Sequence, residues 1–599
     1  MNLLIFDFEV FKYDTLFGCI LINKDNLEIF QTWDLEEIKK FYEEKKDYIW
    51  IGHNNIGYDN LILEGIINNK NVYKLSQKII NSDFRPHIKI HLNNYDLMGK
   101  NNFYSLKTTE AVVGKNISES EVDFNIDRPL TKEEKLKTES YNRDDLQQTF
   151  ENFVDKDNFG NFRIKMDFIK TFNLNYKALN YTGAKLSEIV LGAKRIEGIE
   201  NQYVAPKIYD NLKIENKELI DFYLREGFRK NEKITIQIGN AEINIGSGGA
   251  HQAIKKYHTK KALYFDVSGY YNLTMINFDL LPRSLGEKGK DLYIDIYHKQ
   301  LEYKKTDPKK REPLKIILLS VFGAMMSDYS QLYDPQRGSL VTITGQLFIC
   351  DLLEKLKDKI KIVQTNTDGI IIEPNDWGEK EEIIKIVEDW EKRTGYNIKK
   401  DIIYDLYQRD VNNYMYRDDK GNIHVRGEAL KQYEAGDRIF YEGKPNLDFK
   451  EPLIISKAIV EYFMNNKLPE LVIEENKYNL RNFQYICKKK SYDYTEYELL
   501  DLKTNEITNK KLQGVNRVFA LKDENLRGMI YKFKVKGDKI SKAKISNLPD
   551  SVFVYDNEIL SAESVEKIYP KINYQYYINR AYERILEFIN IPKIKDIKL

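Results

Sequence analysis

KKALYFDVSGYYNLTMINF, residues 260–278, decides how the chain is read. Apolar and aromatic residues run up to one carboxylate, Asp266, and the chain then turns through Ser268-Gly269 into Tyr270 and Tyr271. The pattern predicts a buried strand that ends in a charge. An Asp at the mouth of an apolar strand is costly to desolvate unless it meets a cation, and a divalent metal is one natural partner. Taken alone, Asp266 reads as well as a turn former or a helix cap.

A second stretch, KIKIVQTNTDGIIIE at 359–373, has the same ending. Asp368 lies between two Ile/Val-rich runs with Gly369 beside it, which predicts a tight hairpin with a carboxylate at its tip. Two such residues can clamp two metals about 3.5–4 Å apart for an in-line phosphoryl displacement. Between them PLKIILLSVFGAMMS, 313–327, predicts an apolar helix carrying one cation, Lys315. Carboxylate, cationic helix, carboxylate is the order of a nucleotide polymerase.

These three stretches resemble, in the same order, the first palm motif (DVSGYYNL), the fingers helix (KIILLSVFG) and the palm hairpin (NTDG) of family B DNA polymerases. The resemblance implies metal ligation by Asp266, Asp368 and the carbonyl of Val267. It also implies triphosphate contact by Lys315, and places Tyr270 and Tyr271 at the nucleotide, with Tyr271 under the sugar, where a rigid ring rejects a ribose 2′-hydroxyl. The chain departs from the family at Leu319, where Asn is common, at Phe322 for Tyr, at Asn366 for Asp and at Gly369 for Ser.

Length and charge bound the rest. With 599 residues, three to five domains are expected. Ninety-three basic residues balance 92 acidic ones, a net charge of +1, so no global field draws the chain to nucleic acid and contacts must come from local basic tracks. Cys19, Cys350 and Cys487 form neither a zinc spacing nor a disulfide framework, and a reducing cytoplasm is the expected setting. MNLLIFDFEVF is interrupted by Asp7 and Glu9 and is no signal peptide, and no apolar run approaches the roughly 18 residues of a membrane span.

At the start, LLIFDFEVF, TLFGCILIN and LEIFQTW predict an antiparallel meander. Asp-x-Glu occurs elsewhere in the chain, but only the Asp7/Glu9 copy lies inside an apolar strand, where residues two apart face the same side and repel unless a cation intervenes. Asp59, at the head of NLILEGII, reads either as an N-cap or as a ligand. In YNRDDLQQTF, 141–150, Tyr141 and Asp145 share one helical face. Together Asp7, Glu9, Asp59, Tyr141 and Asp145, with Asn54 and Tyr58 ahead of Asp59, resemble the four-carboxylate, tyrosine-type 3′–5′ exonuclease motifs that precede the polymerase in family B. The Tyr-x-x-x-Asp spacing selects Asp145 over Asp144. The resemblance implies two metals, Mg²⁺ or Mn²⁺, in each of the two sites, with Tyr141 orienting the attacking water.

Gly246-Ser247-Gly248-Gly249 permits close backbone approach, and Gly248 and Gly249 are candidate DNA contacts, although the tyrosine that opens the similar family loop is Gly246 here. Between Asp266 and Lys315 there is room only for one helix, a basic turn and the motif helix, with Lys299, Lys304 and Arg311 as secondary phosphate candidates. Protein-primed relatives carry long insertions both here and between Gly323 and Asp368, so a nucleic-acid primer is expected. Beyond the hairpin, NNYMYRDDKGNIHVRGEALKQY predicts a β-hairpin turning at Lys420-Gly421-Asn422. It resembles the segment near the primer terminus in family B, which implies backbone contacts by Tyr414 and Arg426.

The expected fold is α+β and multidomain, an RNase H-like exonuclease followed by a right-hand polymerase. Its expected parts are the exonuclease at 1–155, a connector at 156–255, palm at 256–285, short fingers at 286–325, palm again at 326–440, and a thumb and C-terminal module at 441–599. The expected function is DNA-directed DNA synthesis with proofreading, of phage or mobile-element type, on primer-template DNA and dNTPs, with no membrane partner. The alternatives are a 3′–5′ exonuclease whose decayed palm only holds primer-template, and a non-enzymatic DNA-binding scaffold.

Overall fold

The computed structural model describes residues 2–23, 26–82, 87–99, 104–199, 204–225, 232–246, 248–427, 439–441 and 451–589, with the side chains of 439–441 excepted. Ser247 of the glycine cluster and residues 428–433 of the predicted primer-contact segment lie outside the described residues. The chain is a mixed α/β protein of two compact units, one formed by 1–181 with 478–573 and the other by 182–477 with 574–599.

The first unit is built on β1 (Leu3–Val10), β2 (Thr15–Ile22), β3 (Leu27–Thr32), β4 (Ile49–Gly52) and β5 (Asn93–Asp96), in the order β3-β2-β1-β4-β5. The first three are antiparallel, as the alternation predicts, and β4 and β5 continue the sheet in parallel. Both faces of β1 are covered, one wholly apolar and the other carrying Asp7 and Glu9 beyond Leu3 and Ile5. Phe6, Phe17, Phe41 and Trp50 pack on one side, with the Phe6 and Trp50 rings 5.1 Å apart. The helix Lys132–Val154 crosses β1 and β2. Its start is fixed by a capping box in which Thr131 and Glu134 satisfy each other's backbone N–H. Gly18 on β2 makes that crossing possible: a Cβ there would lie 1.9 Å from Oδ1 of Asn142.

The second unit is organised by one long sheet whose strands, among the described residues, are β6 (Ile234–Ile238), β7 (Ala241–Ile245), β8 (Ala250–Ala253), β9 (Tyr257–Val267), β10 (Ile360–Asn366), β11 (Gly369–Pro374), β12 (Ile398–Asp410), β13 (Asn413–Arg417), β14 (Ile423–Arg426) and β15 (Ile439–Tyr441). Their order is β15-β14-β13-β12-β9-β11-β10-β8-β7-β6. β9 is central and buried, with β11 and β12 antiparallel on either side. The sheet therefore takes in β6 to β8, a stretch the sequence places in a connector.

Four helices, Tyr270–Asn277, Gly286–Thr306, Pro308–Met325 and Pro335–Leu356, accompany the sheet. Asp307 caps the third with Pro308 at its first position, which makes a sharp helical hairpin of 286–325. The fourth is almost wholly buried, and Asp334 at its start is held by Arg283.

Residues 478–573 add β16 (Tyr485–Lys488), β17 (Tyr494–Asp501), β18 (Ile507–Lys511), β19 (Val515–Ala520), β20 (Leu526–Lys536), β21 (Lys539–Lys544) and β22 (Val552–Val554) to the first unit. They form a three-stranded sheet, β16-β19-β22, and a four-stranded one, β18-β17-β20-β21. The sequence reading groups 441–599 as one module, whereas the structure divides it. Among the contacts that tie 478–573 to the first unit is Arg517 on β19, fully buried, whose guanidinium donates to Gln484 Oε1 at 2.6 Å and to the carbonyl of Lys115 at 2.8 Å, beside bonds from Arg481 to the carbonyl of Val112 and from Gln513 to that of Ile117. A buried cation of that kind must be satisfied where it sits, and its partners beyond the module lie just after the helix Leu106–Val113.

Candidate active sites

In the first unit, β1 and the helix Lys132–Val154 bring together Asp7, Glu9 and Asp145, whose carboxylate oxygens lie within 4.8 Å of one another. Asp144, the sequence competitor, is not in that group. Asp59 opens the helix Asp59–Ile67 but does not cap it. The cap position is Tyr58, and Asp59 Oδ1 instead accepts the N–H of Phe8, 3.2 Å away on β1. The fourth acid is thereby turned onto the strand that bears the first two.

Burial and mutual repulsion dominate this cluster. The Asp7 carboxyl is pushed up to about 7, first by burial and then by the charge of Asp145. Glu9 and Asp59 are also held well above the ordinary carboxylate range by burial and by Asp7. Asn142 Nδ2 donates to Asp7 Oδ2 at 2.9 Å. Acids that resist ionising together are a suitable oxygen donor set for divalent cations, whose charge would restore all of them to carboxylates. Tyr141 hydrogen-bonds Asp145, and burial raises its phenol far above its usual value, so the ring keeps its proton.

The sequence reading missed Lys107. Its Nζ lies 2.8 Å from Asp145 Oδ1, 3.2 Å from Glu110 and 4.9 Å from the Tyr141 ring centre. No local pattern announces it, because its main partner is 38 residues away in the chain. Asp96 was missed too: it accepts from the backbone N–H of Asn54 and Ile56 and so shapes the loop before Asp59. Asn54 itself takes φ +65°, and Tyr58 bonds Ser76 at 2.8 Å. Burial and then the nearby charges of Asp59, Glu9 and Asp7 raise the Tyr58 phenol, so Tyr58 borders the acid cluster, whereas Asn54 shapes the loop ahead of it.

In the second unit, Asp266 near the end of β9 is in register with Gly369, the first residue of β11. The N–H of Val267 donates to the carbonyl of Asp368 at 3.0 Å. The two carboxylates predicted to meet thus close two neighbouring antiparallel strands at the same end of one sheet. The Asp368 carboxyl is pushed up to about 6 by burial and by Asp266, with Arg426 pulling the other way. Asp368 and Thr367 form a two-residue turn between the paired Asn366 and Gly369, and Thr367 takes the left-handed φ of +60°. A β-branched residue in that conformation is strained and is kept only where the surroundings impose it.

Those surroundings are the glycine cluster. A Cβ on Gly249 would lie 2.6 Å from Thr367 Oγ1 and 3.1 Å from Thr367 Cα, whereas one on Gly248 would meet only His251, at 4.0 Å. Gly249 is therefore small because the Asp368 turn presses on it, a reason other than the phosphate contact expected from sequence. Asn366 donates through Nδ2 to the carbonyl of Val411 at 3.3 Å, so its amide is engaged in holding the sheet.

Around these acids, Tyr271 stacks on Phe322 with ring centres 3.9 Å apart and 10° between planes. Lys315 and Phe322, seven residues apart, share a face of the helix Pro308–Met325 with Leu319, which is 75% exposed. Lys315 Nζ pairs with Glu312 at 3.0 Å. Two of the predicted contact residues are buried: the ring of Tyr270 lies against Gly345 and Tyr396, and Tyr414 is 1% exposed. Tyr414 faces its cross-strand partner Arg426, whose guanidinium lies 5.8 Å from the ring. Arg311 donates to Gln300 at 3.2 Å and ties the two helices of the hairpin, Lys299 pairs with Asp295 at 2.7 Å, and Lys304 is exposed near the tip.

No protein-family description matches this sequence, and no curated protein does. Among solved structures, the family B DNA polymerase of the hyperthermophilic archaeon Pyrobaculum calidifontis aligns with 100% of this chain and 79% of its own, at 12% identity and a TM-score of 0.46. At that level of likeness the site geometry, and not the neighbour, carries the functional reading. No described helix is long and apolar enough to cross a membrane.

Proposed function

We propose that the chain is a DNA-directed DNA polymerase with a separate 3′–5′ exonuclease site. The observation that carries the reading is the pair Asp266 and Asp368, set side by side at one end of a sheet by the register of β9 with β11. A helix bearing Lys315 reaches that end through the Phe322–Tyr271 stack. On this reading 256–285 and 326–440 act as the palm, 286–325 as the fingers, and the first unit's 1–155 as the exonuclease.

Asp266 and Asp368, with the Val267 carbonyl, would hold Mg²⁺ or Mn²⁺ as hard oxygen donors, and Asp7, Glu9, Asp59 and Asp145 would do so in the other site. When bound, such cations lower the pKa of the primer 3′-hydroxyl or of an attacking water and neutralise phosphate charge. The chain's own groups do the rest. Lys315 exchanges Glu312 for the triphosphate, and Tyr271, immobilised on Phe322, blocks a 2′-hydroxyl. Protonated Tyr141 orients a water beside Asp145, which Lys107 holds in place. Residue 366 is Asn, whose Nδ2 donates to the Val411 carbonyl, so the palm ligand set has two carboxylates and at most one further neutral side-chain oxygen. That missing third charge favours the second reading, an exonuclease with a palm that only grips primer-template.

Extension of a labelled hairpin DNA with and without dNTPs separates them. Asp266→Asn should abolish incorporation and leave 3′ degradation, and Asp7→Asn with Glu9→Gln should do the reverse. A parent protein that degrades but never incorporates would refute synthesis.

A further inference from the structure

The strands β17, β18, β20 and β21 carry nine Lys and Arg residues and three Asp and Glu residues, a net charge of +6 in a chain whose total is +1. The cations are Lys510, Lys511, Arg527, Lys532, Lys534, Lys536, Lys539, Lys542 and Lys544, and the anions are Glu496, Glu498 and Asp501. The register sorts them by face. Tyr494 opposes Phe533, which opposes Lys542; Lys511 opposes Glu496, which opposes Tyr531, which opposes Lys544. One face thus interleaves aromatic rings with Lys511, Lys542, Lys544 and Arg527 and with the acids Glu496 and Glu498, a net charge of +2, while the other five cations lie on the opposite face.

The composition of this face is unusual in a second way. Tyr494 and Phe533 are stacked at 4.5 Å and 7°, and Lys542 Nζ sits 3.9 Å over the Tyr531 ring while also pairing with Glu498 at 2.8 Å. On the same face Ile507 and Ile540, in the two edge strands, are 57% and 62% exposed. A duplex offers a flat surface its phosphates, with bases reachable only edge-on in the grooves; the lysines would meet the phosphates, but the exposed isoleucines and the half-buried Tyr494 and Tyr531 rings would find no base faces. An unpaired strand offers phosphates and apolar base faces together, and both halves of this surface then have a partner.

We propose that this four-stranded sheet is a platform for single-stranded DNA, with lysines on the backbone and the aromatic and isoleucine side chains against bases. The choice of DNA over RNA rests on the function proposed above, while the preference for unpaired strands rests on the sheet alone. The platform belongs to the same unit as the Asp7 cluster, whose substrate would be an unpaired 3′ end.

The test is fluorescence anisotropy on the full chain, in chelator so that no strand is degraded. The probes are a labelled oligothymidylate of about 20 nucleotides and a blunt duplex of the same length, long enough to cover one such face. Lys511→Glu with Lys542→Glu and Lys544→Glu should weaken single-strand binding about tenfold or more and make the log–log salt slope shallower by about two, at about 0.7 for each lost phosphate contact. Ile507→Ser with Ile540→Ser, at unchanged charge, should weaken it about threefold and leave the salt slope alone. Single-strand affinity unchanged in both variants would overturn the proposal, as would an equal loss on the blunt duplex. Tighter binding of the matching RNA strand would overturn the choice of DNA. Sheet-dependent binding by a protein with neither synthesis nor degradation would support the platform while refuting the enzymatic reading.

Discussion

Replacing Gly249 with alanine should damage synthesis while replacing its neighbour Gly248 should not, and the difference follows from where a single methyl would go. On Gly249 the added carbon would stand 3.1 Å from Thr367 Cα and 2.6 Å from Thr367 Oγ1. The hydroxyl can rotate away, but the Cα belongs to the turn that carries Asp368. Carbon atoms settle at about 3.5–4.0 Å, so the turn must retreat by about half an ångström. A full ångström of misplacement can cost about a hundredfold in rate, so about tenfold is expected here, equivalent to about 1.4 kcal/mol in the barrier. The assay is single-nucleotide incorporation at saturating dNTP, with degradation of a single strand by the same preparation as an internal control. Gly249→Ala should slow incorporation about tenfold with degradation unchanged, and Gly248→Ala, with 4.0 Å of clearance, should leave both alone. Equal loss in the two variants would mean that the loop's amides, and not its close packing on the turn, matter for synthesis, and the steric account would be refuted.

Lys107→Met should split two properties of the Asp7 cluster under the proposed exonuclease reading. The Mg²⁺ concentration for half-maximal degradation should fall, because a cation 2.8 Å from Asp145 is removed, while the maximal rate drops roughly tenfold or more as Asp145 and Tyr141 lose their support. Arg517→Met should destabilise the first unit by about 3–5 kcal/mol by leaving buried acceptors unsatisfied, read as a fall of roughly 5–10 °C in its thermal transition. The Asp556 carboxyl, whose Oδ1 accepts the Arg517 N–H at 2.7 Å, is pushed up to about 6 by burial. A raised carboxyl favours folding when protonated, so its contribution is complete below about pH 4 and is lost as pH rises through 6. Asp556→Asn should flatten the stability profile across that window by about 1–3 kcal/mol, measured by denaturant unfolding.

How much of this was legible depended on whether the information was local. Asp266 and Asp368 each stand at the end of an apolar run, and strand periodicity alone places them at strand ends. Asp7 and Glu9 are legible by a different rule, since they lie inside the strand and residues two apart share a face, and the i, i+4 relation of Tyr141 and Asp145 puts both on one face before any fold is known. Lys107, Asn142 and Gly18 are silent in sequence because each has meaning only against a partner far along the chain. Gly18 looks like an ordinary strand glycine until the helix Lys132–Val154 is laid over it. Tyr270 and Tyr271 illustrate the limit from the other side. They are identical neighbours in sequence, yet helix geometry sends one into the core beside Gly345 and the other onto Phe322. Arg517 is the strongest case: a lone arginine in β19 gives no hint that it joins residues 478–573 to the segment following the helix that bears Lys107.

The near-zero net charge also takes on a different meaning once positions are known. Averaged over the chain, +1 gives no global field toward nucleic acid, yet the average combines buried acids with cations displayed on one sheet. The Asp7 carboxyl, pushed up to about 7 first by burial and then by Asp145, carries less than a full negative charge at neutral pH. The lysines of β18 and β21 are solvent-exposed apart from the half-buried Lys544. The field met by an approaching polyanion is therefore more positive near that sheet than the composition suggests, and it falls off within about a Debye length. Adding Mg²⁺ pulls in two directions: it screens the sheet and completes the acid clusters. Binding through the sheet should weaken with Mg²⁺ as it does with any salt, whereas turnover at the acid sites should rise from zero. Opposite responses to one titrant, measured on the same preparation, separate the surface that holds the strand from the centres that act on it.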